Sequence, residues 1–251
     1  MGGKYVGAEV RRREDPRLLT GLGRYVDDVP VAACLHAAIV RSPHAHARIA
    51  AIRADAARRA PGVVAVFTFE DLRAHMAPLP AAGVPSPALQ SRVGFTIKPT
   101  PQYPLAAGTV RYVGEPVAIV VAADRYLAED ARHLVEVDWE PLPAIADVEG
   151  GLAAAAPVIH PDLGDNVAVE FRVAIGDVER AFASAPVVVR RRIRVQRCAG
   201  MPLEPRGVLA VPDARGGLTV RGSTQVPHWL QRVLAEALGK PAHRVRVAAP
   251  D

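Results

Sequence analysis

The last part of the chain carries the pattern that most restricts its fold, because two apolar runs flank an amphipathic stretch. Residues 218–221 and 244–248 are short and rich in valine, which favours β-strands. Between them, apolar residues recur at helical spacing over 229–238, and Gly239 is typical of a helix end. The sequence therefore predicts a strand, a tight corner, a helix beginning at Pro227 and a second strand.

Earlier in the chain, turn residues separate further apolar runs. The predicted strands are 35–41, 48–52, 63–67, 115–122, 135–139, 187–195 and 207–211. The predicted helices are 69–75 with Thr68 as N-cap, 125–134 with Asp124 as N-cap, and 176–182. A proline-rich loop is expected over 77–106, and a linker around 140–151 places a domain boundary near 145–160. These elements predict an α+β fold class.

The basic residues leave two interpretations open. The net charge is +5, and the densest run contains Arg190, Arg191, Arg192, Arg194 and Arg197. Clustered arginines can neutralise phosphates, so a polyanion site is one interpretation. A strand with arginine on a wet face, or a subunit contact, is favoured because no aromatic residue interleaves with the run. We therefore expect no nucleic-acid partner.

Targeting signals are not evident in the sequence. The first fifteen residues are charged without an apolar stretch, and the longest apolar run, 116–123, is too short to span a bilayer. Cys34 and Cys198 are far apart in sequence, without the spacing of a zinc or iron–sulfur site, and they fit a reducing compartment. We expect a cytoplasmic protein without a transmembrane segment.

Several short motifs could carry chemistry, and for most of them a structural role is the favoured interpretation. Gly21-Leu22-Gly23 begins like a dinucleotide loop but has valine where the third glycine belongs. His44 and His46 would point the same way on a strand, yet no third metal ligand is near. Glu204 and Arg206 are expected to form an ion pair that shapes a loop rather than an acid–base couple.

Gln225 lies in the corner before the C-terminal helix, which Ser223 or Thr224 can cap. On spacing alone it is an ordinary first-turn residue. The functional interpretation is that a neutral amide at a strand-to-helix corner points a fixed N–H at a ligand. Such a donor stabilises an oxo group without adding charge.

Six strings taken together resemble one protein family, and they extend over nearly the whole chain. In order they are 6–15, Thr20-Gly21-Leu22-Gly23-Arg24-Tyr25-Val26-Asp27-Asp28, Arg41-Ser42-Pro43-His44-Ala45-His46-Ala47-Arg48-Ile49, Arg111-Tyr112-Val113-Gly114-Glu115-Pro116-Val117-Ala118, Pro202-Leu203-Glu204-Pro205-Arg206 and Ser223-Thr224-Gln225. They are similar to the molybdenum-binding large subunit of the xanthine dehydrogenase and aldehyde oxidase family. The opening strings most resemble its aerobic carbon monoxide dehydrogenase-type branch.

The resemblance implies an architecture and a cofactor. It implies an N-terminal extension (1–19), an α/β hammerhead domain (20–145) and the start of an α+β molybdopterin-binding domain (146–251). The implied cofactor is molybdenum with molybdopterin, in its cytosine dinucleotide form. By resemblance, Gln225 binds this cofactor and contacts the metal through an oxygen ligand of molybdenum, which reverses the interpretation from spacing.

The resemblance also implies an activity and partners. Members oxidise carbon monoxide, an aldehyde or an N-heterocycle with water as the oxygen source, and the sequence does not choose among these small-molecule substrates. Electrons leave through an iron–sulfur small subunit and an FAD-binding medium subunit, in a dimer of heterotrimers. The family's glycine-rich loop, substrate loop and glutamate base do not occur here. We therefore expect an N-terminal fragment with no catalytic residue of its own, inactive alone.

The sequence leaves two other functions open. The chain could be a non-catalytic assembly or scaffold module that keeps the hammerhead fold and has lost the site. It could also bind nucleic acid through its arginine run, in which case its retention on DNA would depend strongly on salt.

Overall fold

A computed structural model describes residues 6–79, 87–94, 96–98, 100–173 and 175–251 of the chain. Within these ranges the α-helices are α1 (Asp15–Leu19), α2 (Asp55–Arg59), α3 (Phe69–Leu72), α4 (Pro87–Val93), α5 (Arg125–Arg132), α6 (Val148–Leu152), α7 (Val178–Ser184) and α8 (Pro227–Ala237). The strands are β1 (His36–Arg41), β2 (Ala47–Arg53), β3 (Val63–Thr68), β4 (Thr96–Ile97), β5 (Thr109–Val110), β6 (Pro116–Ala122), β7 (Glu136–Pro141), β8 (Val169–Glu170), β9 (Val208–Pro212), β10 (Leu218–Gly222) and β11 (Val245–Ala248). Short 3₁₀ turns occupy Val26–Asp28, Pro161–Leu163 and Ala242–Arg244. The predicted α+β class is confirmed.

The chain divides into two compact units. One combines the N-terminal residues up to Ala32 with 199–235 and 240–251, and the other contains 33–198 and 236–239. The three domains expected from the sequence, with limits at 19/20 and 145/146, stay a prediction, since these units follow spatial contacts rather than sequence order. No helix among the described residues is long and apolar enough to cross a membrane.

The larger unit contains two three-stranded antiparallel sheets. In the first, β6 lies between β1 and β3, and in the second, β2 lies between β5 and β7. One face of strand β6 is buried at Ala118, Val120 and Ala122, whereas the other is buried at Val117 and half-buried beyond it. This burial is why the sequence of β6 is a nearly continuous run of valine, isoleucine and alanine. The β-α-β succession around Asp124 is confirmed in order, but β6 and β7 belong to different sheets.

The core of this unit surrounds β6 and is built from small aliphatic side chains. Ala118 and Val120 pack with residues of α2, β3 and α5, whereas Val117 packs against Ala47 and Val110 from the second sheet. All five of these residues are 0% exposed, so the unit's stability depends on close packing of alanine and valine. Few aromatic residues are needed for such a core.

Helix α5 begins where the sequence predicts it. Asp124 has an extended backbone, and its carboxylate accepts a hydrogen bond from the backbone N–H of Leu127 at 2.9 Å. This bond satisfies one of the helix's unpaired N-terminal donors. The apolar side of the helix then buries Ala128 and Ala131 against the sheet.

Replacing this cap gives a first testable result. We expect Asp124→Ala to lower the free energy of unfolding by about 1 kcal/mol, because the N–H of Leu127 loses its partner. Asp130→Ala is the matched control, since Asp130 lies near the opposite end of the same helix and caps nothing. Urea denaturation of the three proteins would measure the difference, and equal losses in both variants would contradict the capping role.

Most predicted strands and helices are confirmed within one to three residues, but the strand expected over 187–195 is wrong. The structure shows no regular element there, and all nine residues are exposed. A β-strand is stabilised by hydrogen bonds to a neighbouring strand, and no described strand pairs with this segment. The apolar alternation is therefore present without the pairing that would use it.

Three smaller predictions need correction. The expected helix over 69–75 ends at Leu72, although its N-terminus has the predicted Thr68, whose backbone and hydroxyl groups bond Asp71. The proline-rich loop over 77–106 lies partly outside the described residues, and its described part contains α4 and β4. The expected linker contains α6, which is capped by the carboxylate of Asp147 on the N–H of Gly150 at 2.7 Å.

Candidate functional site

The predicted strand–corner–helix–strand stretch forms a parallel β-α-β unit. Strands β10 and β11 pair in parallel from Leu218 beside Val245 to Arg221 beside Ala248, and β9 flanks β10 on its other edge in antiparallel orientation. Helix α8 connects the two parallel strands. Ligands of open α/β sheets bind beyond the carboxyl ends of parallel strands, where loops meet a helix N-terminus. The corner at 222–226 and the residues after Ala248 occupy that edge.

The structure places Gln225 in this corner with its side chain exposed. Among the described residues, no hydrogen bond to the Gln225 amide is found, so its N–H and C=O groups are available to a ligand. Thr224 Oγ1 accepts from the N–H of Val226 at 3.2 Å, and Ser223 Oγ donates to the carbonyl of Pro205 at 3.3 Å. The predicted capping of a helical N–H by Ser223 or Thr224 is therefore not found. Both hydroxyls instead form hydrogen bonds within the corner just before α8.

A cavity of about 460 Å³ opens between the first turns of α8 and strand β11. Polar side chains enter its lining from three places: His228 and Gln231 on α8, His243 before β11, and Arg246 on β11. No acidic side chain belongs to the lining. The cavity thus offers nitrogen donors to a ligand rich in acceptor oxygens or nitrogens, and its volume is in the range of small-molecule sites.

Two sets of contacts fix helix α8, one to the return strand β11 and one at the end of the helix. The Gln231 amide donates to the carbonyls of Ala242 and Val245, at 3.1 and 2.7 Å, which fixes the helix relative to the return strand. After the helix, Gly239 has φ +59°, and the N–H of Lys240 bonds the Ala235 carbonyl at 2.8 Å. A left-handed glycine followed by this bond is a common helix stop, and it is the stop that the sequence predicted.

The N-terminal segment of the same unit is attached to the end of β11 by Asp251. The Asp251 carboxylate accepts two hydrogen bonds from the Arg17 guanidinium, one of them at 2.6 Å, and another from the backbone N–H of Arg24. The Asp251 side chain is 11% exposed. These hydrogen bonds, first that of Arg17 and then that of Arg24, lower the pKa of Asp251 to about 2.

A pH titration should detect this attachment. Because the pKa of Asp251 is lower in the folded chain than the usual unfolded value of about 3.9, its contribution to stability is present above that value and is lost as the pH falls towards 2. We expect Asp251→Asn to destabilise the chain at pH 6 and the difference from the parent to disappear near pH 2. Chemical denaturation at several pH values, with Glu236→Gln as an exposed-carboxylate control, would measure it. A difference independent of pH would contradict the ionic attachment.

Glu204 has a different partner from the one expected. Its Oε1 accepts a hydrogen bond from the backbone N–H of Val26 at 2.8 Å, and no ion pair between Glu204 and Arg206 is found among the described residues. Val26 is buried, and Gly207 lies directly beside it. The Glu204-Pro205-Arg206 string therefore orders the N-terminal segment at Val26, as Asp251 does at Arg17 and Arg24.

The histidine pair has the structural role that the sequence favoured. His46 is buried, and its Nδ1 lies 2.7 Å from the carbonyl oxygen of Pro143, whereas the ring of His44 stacks edge-on against Trp139 at 5.4 Å. In the described part of the chain, no group of three or more histidine, cysteine or carboxylate side chains could hold a metal ion.

Sequence reasoning identified the corner but not the residues that surround it. His228, His243 and Arg246 are separated by up to eighteen positions and share no motif, so only the return of the chain through α8 brings them to one cavity. The parallel connection itself was the available signal, because a strand–helix–strand unit places the start of its helix beside the end of its second strand. Arg17 and Asp251 had no such signal.

Two protein-family models match the chain. The model described as "Aldehyde oxidase and xanthine dehydrogenase, a/b hammerhead domain" matches residues 20–143, and the "Molybdopterin cofactor-binding domain" matches residues 159–251. The corner, helix α8 and strand β11 all fall within the second match.

Individual relatives are similar over nearly the whole chain. It is 40% identical to the 6-hydroxypseudooxynicotine dehydrogenase complex subunit gamma of Paenarthrobacter nicotinovorans, over 97% of this chain and 30% of the relative. It is 37% identical to the carbon monoxide dehydrogenase large chain of Afipia carboxidovorans, over 98% of this chain and 30% of that one. The quinoline 2-oxidoreductase structure from Pseudomonas putida 86 superimposes with a TM-score of 0.86 at 35% identity, over 100% of this chain and 31% of that one. The chain thus spans about 30% of the length of the curated relatives it matches.

Proposed function

Since the chain belongs to the xanthine dehydrogenase and aldehyde oxidase family of molybdenum-binding large subunits, we propose that it forms the hammerhead and the first part of the molybdopterin-binding site of a molybdenum hydroxylase. The observation that carries this proposal is the corner at 222–226. It presents an unpaired neutral amide at the carboxyl edge of a parallel strand pair, beside a cavity lined by nitrogen donors.

The residues at this edge fit a pterin cofactor chemically. A pterin ring and its phosphate present acceptor oxygens and nitrogens, and His228, His243 and Arg246 offer donors without any carboxylate to repel a phosphate. The N-terminus of α8 adds its partial positive charge to the same edge. We assign these residues and the α8 N-terminus to cofactor binding.

Gln225 has a separate role in the proposal. When bound, the molybdenum cofactor supplies the redox centre at which substrate is oxidised with oxygen from water. In this proposal Gln225 would donate a hydrogen bond from its amide to an oxygen ligand of molybdenum. A neutral donor held by the fixed corner stabilises that oxygen without changing the net charge of the site.

The partners and assembly of the complete enzyme are also proposed from the family. We assign to the complete enzyme a cytosine dinucleotide form of the cofactor, an iron–sulfur small subunit, an FAD-binding medium subunit and a dimer of heterotrimers in the cytoplasm. The substrate is carbon monoxide, an aldehyde or an N-heterocycle. The chain contributes no catalytic residue in this scheme and is inactive alone, because its exposed corner encloses nothing by itself.

A non-catalytic scaffold is the second candidate. It is favoured by one observation: Gln225 is solvent-exposed in this chain, as it would be in a module that keeps the fold without a working site. The two candidates differ in cofactor content once the remaining length of a family subunit is present.

The test uses a hybrid subunit, in which this chain replaces the matching 30% of the carbon monoxide dehydrogenase large chain of Afipia carboxidovorans. Produced in a host that makes molybdenum cofactor, the folded hybrid should contain about one molybdenum and one pterin per subunit. Metal analysis and fluorescence of the released, oxidised pterin would measure both. A folded hybrid without either would contradict the cofactor role and favour the scaffold.

A further inference from the structure

The segment 187–195 presents apolar side chains that nothing in the described structure covers. Val187, Val189, Ile193 and Val195 are 75%, 72%, 82% and 90% exposed. None of the backbone N–H groups of this segment donates a hydrogen bond to another described residue. An added β-strand would bury these apolar side chains and would accept hydrogen bonds from these backbone N–H groups.

The order of residues in the segment gives an extended chain two distinct faces. Alternate positions place four apolar side chains on one side, interrupted by Arg191, namely Val187, Val189, Ile193 and Val195. The other side carries Val188 and the three arginines Arg190, Arg192 and Arg194. Arg192 pairs with Glu149 of the same unit, whereas no acidic partner of Arg190 or Arg194 is found among the described residues. A strand that complements the segment would therefore carry mainly apolar side chains on one face and acidic side chains on the other.

A groove continues the apolar face. Helix α7 and the residues after it line an open groove of about 470 Å³, whose side chains include Ile175, Val178, Phe182 and the three consecutive valines 187–189. Its lining is mainly apolar, and Phe182 is 58% exposed. An apolar side chain of an added strand would enter this groove while its backbone pairs with the segment.

The positive charge of segment 187–195 distinguishes among three partners that could bind it. A second copy of this chain pairing through the same segment would bring arginine faces together, and like charges directly opposite are destabilising. Nucleic acid would neutralise the arginines but leave the apolar face and groove exposed. A strand with alternating apolar and acidic residues satisfies both faces.

We propose that segment 187–195 is an edge that receives a β-strand from the part of a family large subunit that this chain does not span. That part amounts to more than two thirds of the length of each relative above, and the segment lies within the match to the cofactor-binding domain. The inference rests on the proposed function and names a polypeptide partner for it. Addition of the strand converts the exposed segment into the strand that its sequence predicts.

Hydrogen–deuterium exchange tests the proposal by comparing the chain alone with the hybrid subunit. Amides of 187–195 should exchange rapidly in the chain and at least about tenfold more slowly in the hybrid, while β6 amides stay protected in both. If the hybrid does not fold, the chain is co-expressed with the rest of the relative as a separate polypeptide, and the same exchange is measured on the co-purified complex. Fast exchange of the segment in a folded hybrid, or failure to co-purify, would overturn the proposal.

Variants separate backbone pairing from charge. Val189→Pro removes a strand donor and should restore fast exchange in the hybrid, whereas Val10→Pro, at another exposed irregular position, should not. Reversing Arg190, Arg192 and Arg194 to glutamate should weaken co-purification about tenfold or more, and reversing the exposed Arg11, Arg13 and Arg59 should leave it unchanged. Equal effects of test and control variants would overturn the assigned edge.

Two other results would show that segment 187–195 binds a different partner. Dimers in sedimentation that disappear with Val189→Pro, or DNA retention that disappears with the arginine reversals, would each overturn the proposal. Exchange is measured without molybdenum, so protection in a hybrid that binds no cofactor would support the strand edge while contradicting the proposed function.

Discussion

Replacing Gln225 by alanine in the hybrid subunit should lower turnover by about a hundredfold to a thousandfold while molybdenum content stays close to that of the parent. Loss of one fixed donor to a developing or resident oxygen charge has this magnitude in other enzymes. The cofactor itself should be retained, because the proposed cofactor-binding residues His228, His243 and Arg246 are unchanged. Steady-state kinetics with an artificial electron acceptor and metal analysis on the same sample would measure the two effects.

Two further variants make this result specific. Arg232→Ala changes an exposed residue on α8 outside the cavity lining, so its turnover should match that of the parent. Gln225→Glu keeps the length of the side chain but replaces the amide donor by a carboxylate, so its turnover should fall at least as far as with alanine. Normal turnover in Gln225→Ala would remove the assigned role.

The second large effect concerns the core of the larger unit. Val120 lies on β6 and is 0% exposed, so Val120→Asp would bury a carboxylate with no partner. An uncompensated buried charge costs about 3–5 kcal/mol or more, which is a large part of the total stability of an ordinary domain. We expect the variant to be unfolded or to unfold at much lower urea concentration.

Val64→Asp is the matched control for this substitution. Val64 is 60% exposed on the neighbouring strand β3, so the same chemical change should leave the urea midpoint nearly unchanged. Circular dichroism during urea titration would compare the two. Similar midpoints for both variants would contradict the assigned packing of β6.

The elements that the sequence predicted well are those with local signals. Strand β6 is an uninterrupted apolar run, α5 has Asp124 at its start, and α8 lies between Pro227 and the left-handed Gly239. Each of these depends on neighbours in sequence: capping, proline at the first turn and burial of a continuous face. Local patterns therefore give the order of elements correctly.

The features that the sequence predicted wrongly or missed depend on distant partners. Segment 187–195 has the alternation of a strand, but a strand also needs a neighbour, and the described residues supply none. The bonds of Glu204 to Val26 and of Arg17 to Asp251 join positions about 180 and 230 residues apart, so no spacing rule could reveal them. Residue type alone suggested a neighbouring arginine for Glu204, and geometry selected a backbone N–H instead.

The candidate site was only partly accessible to sequence reasoning. The corner, with Gln225 in it, followed from the strand and helix pattern, whereas the role of Gln225 toward molybdenum came from family resemblance and stays a prediction. The cavity beside it was missed because its histidines and arginine converge only through the parallel β-α-β connection. A site of this kind is encoded by topology, which a single sequence states indirectly.

The central claim is that the corner between β10 and α8 holds the Gln225 amide against an oxygen ligand of molybdenum. A crystal structure of the cofactor-loaded hybrid subunit tests it most directly, through the distance from the Gln225 amide nitrogen to the nearest such oxygen. A distance of about 2.7–3.2 Å is predicted. A bound cofactor with the amide still facing solvent would contradict the claim.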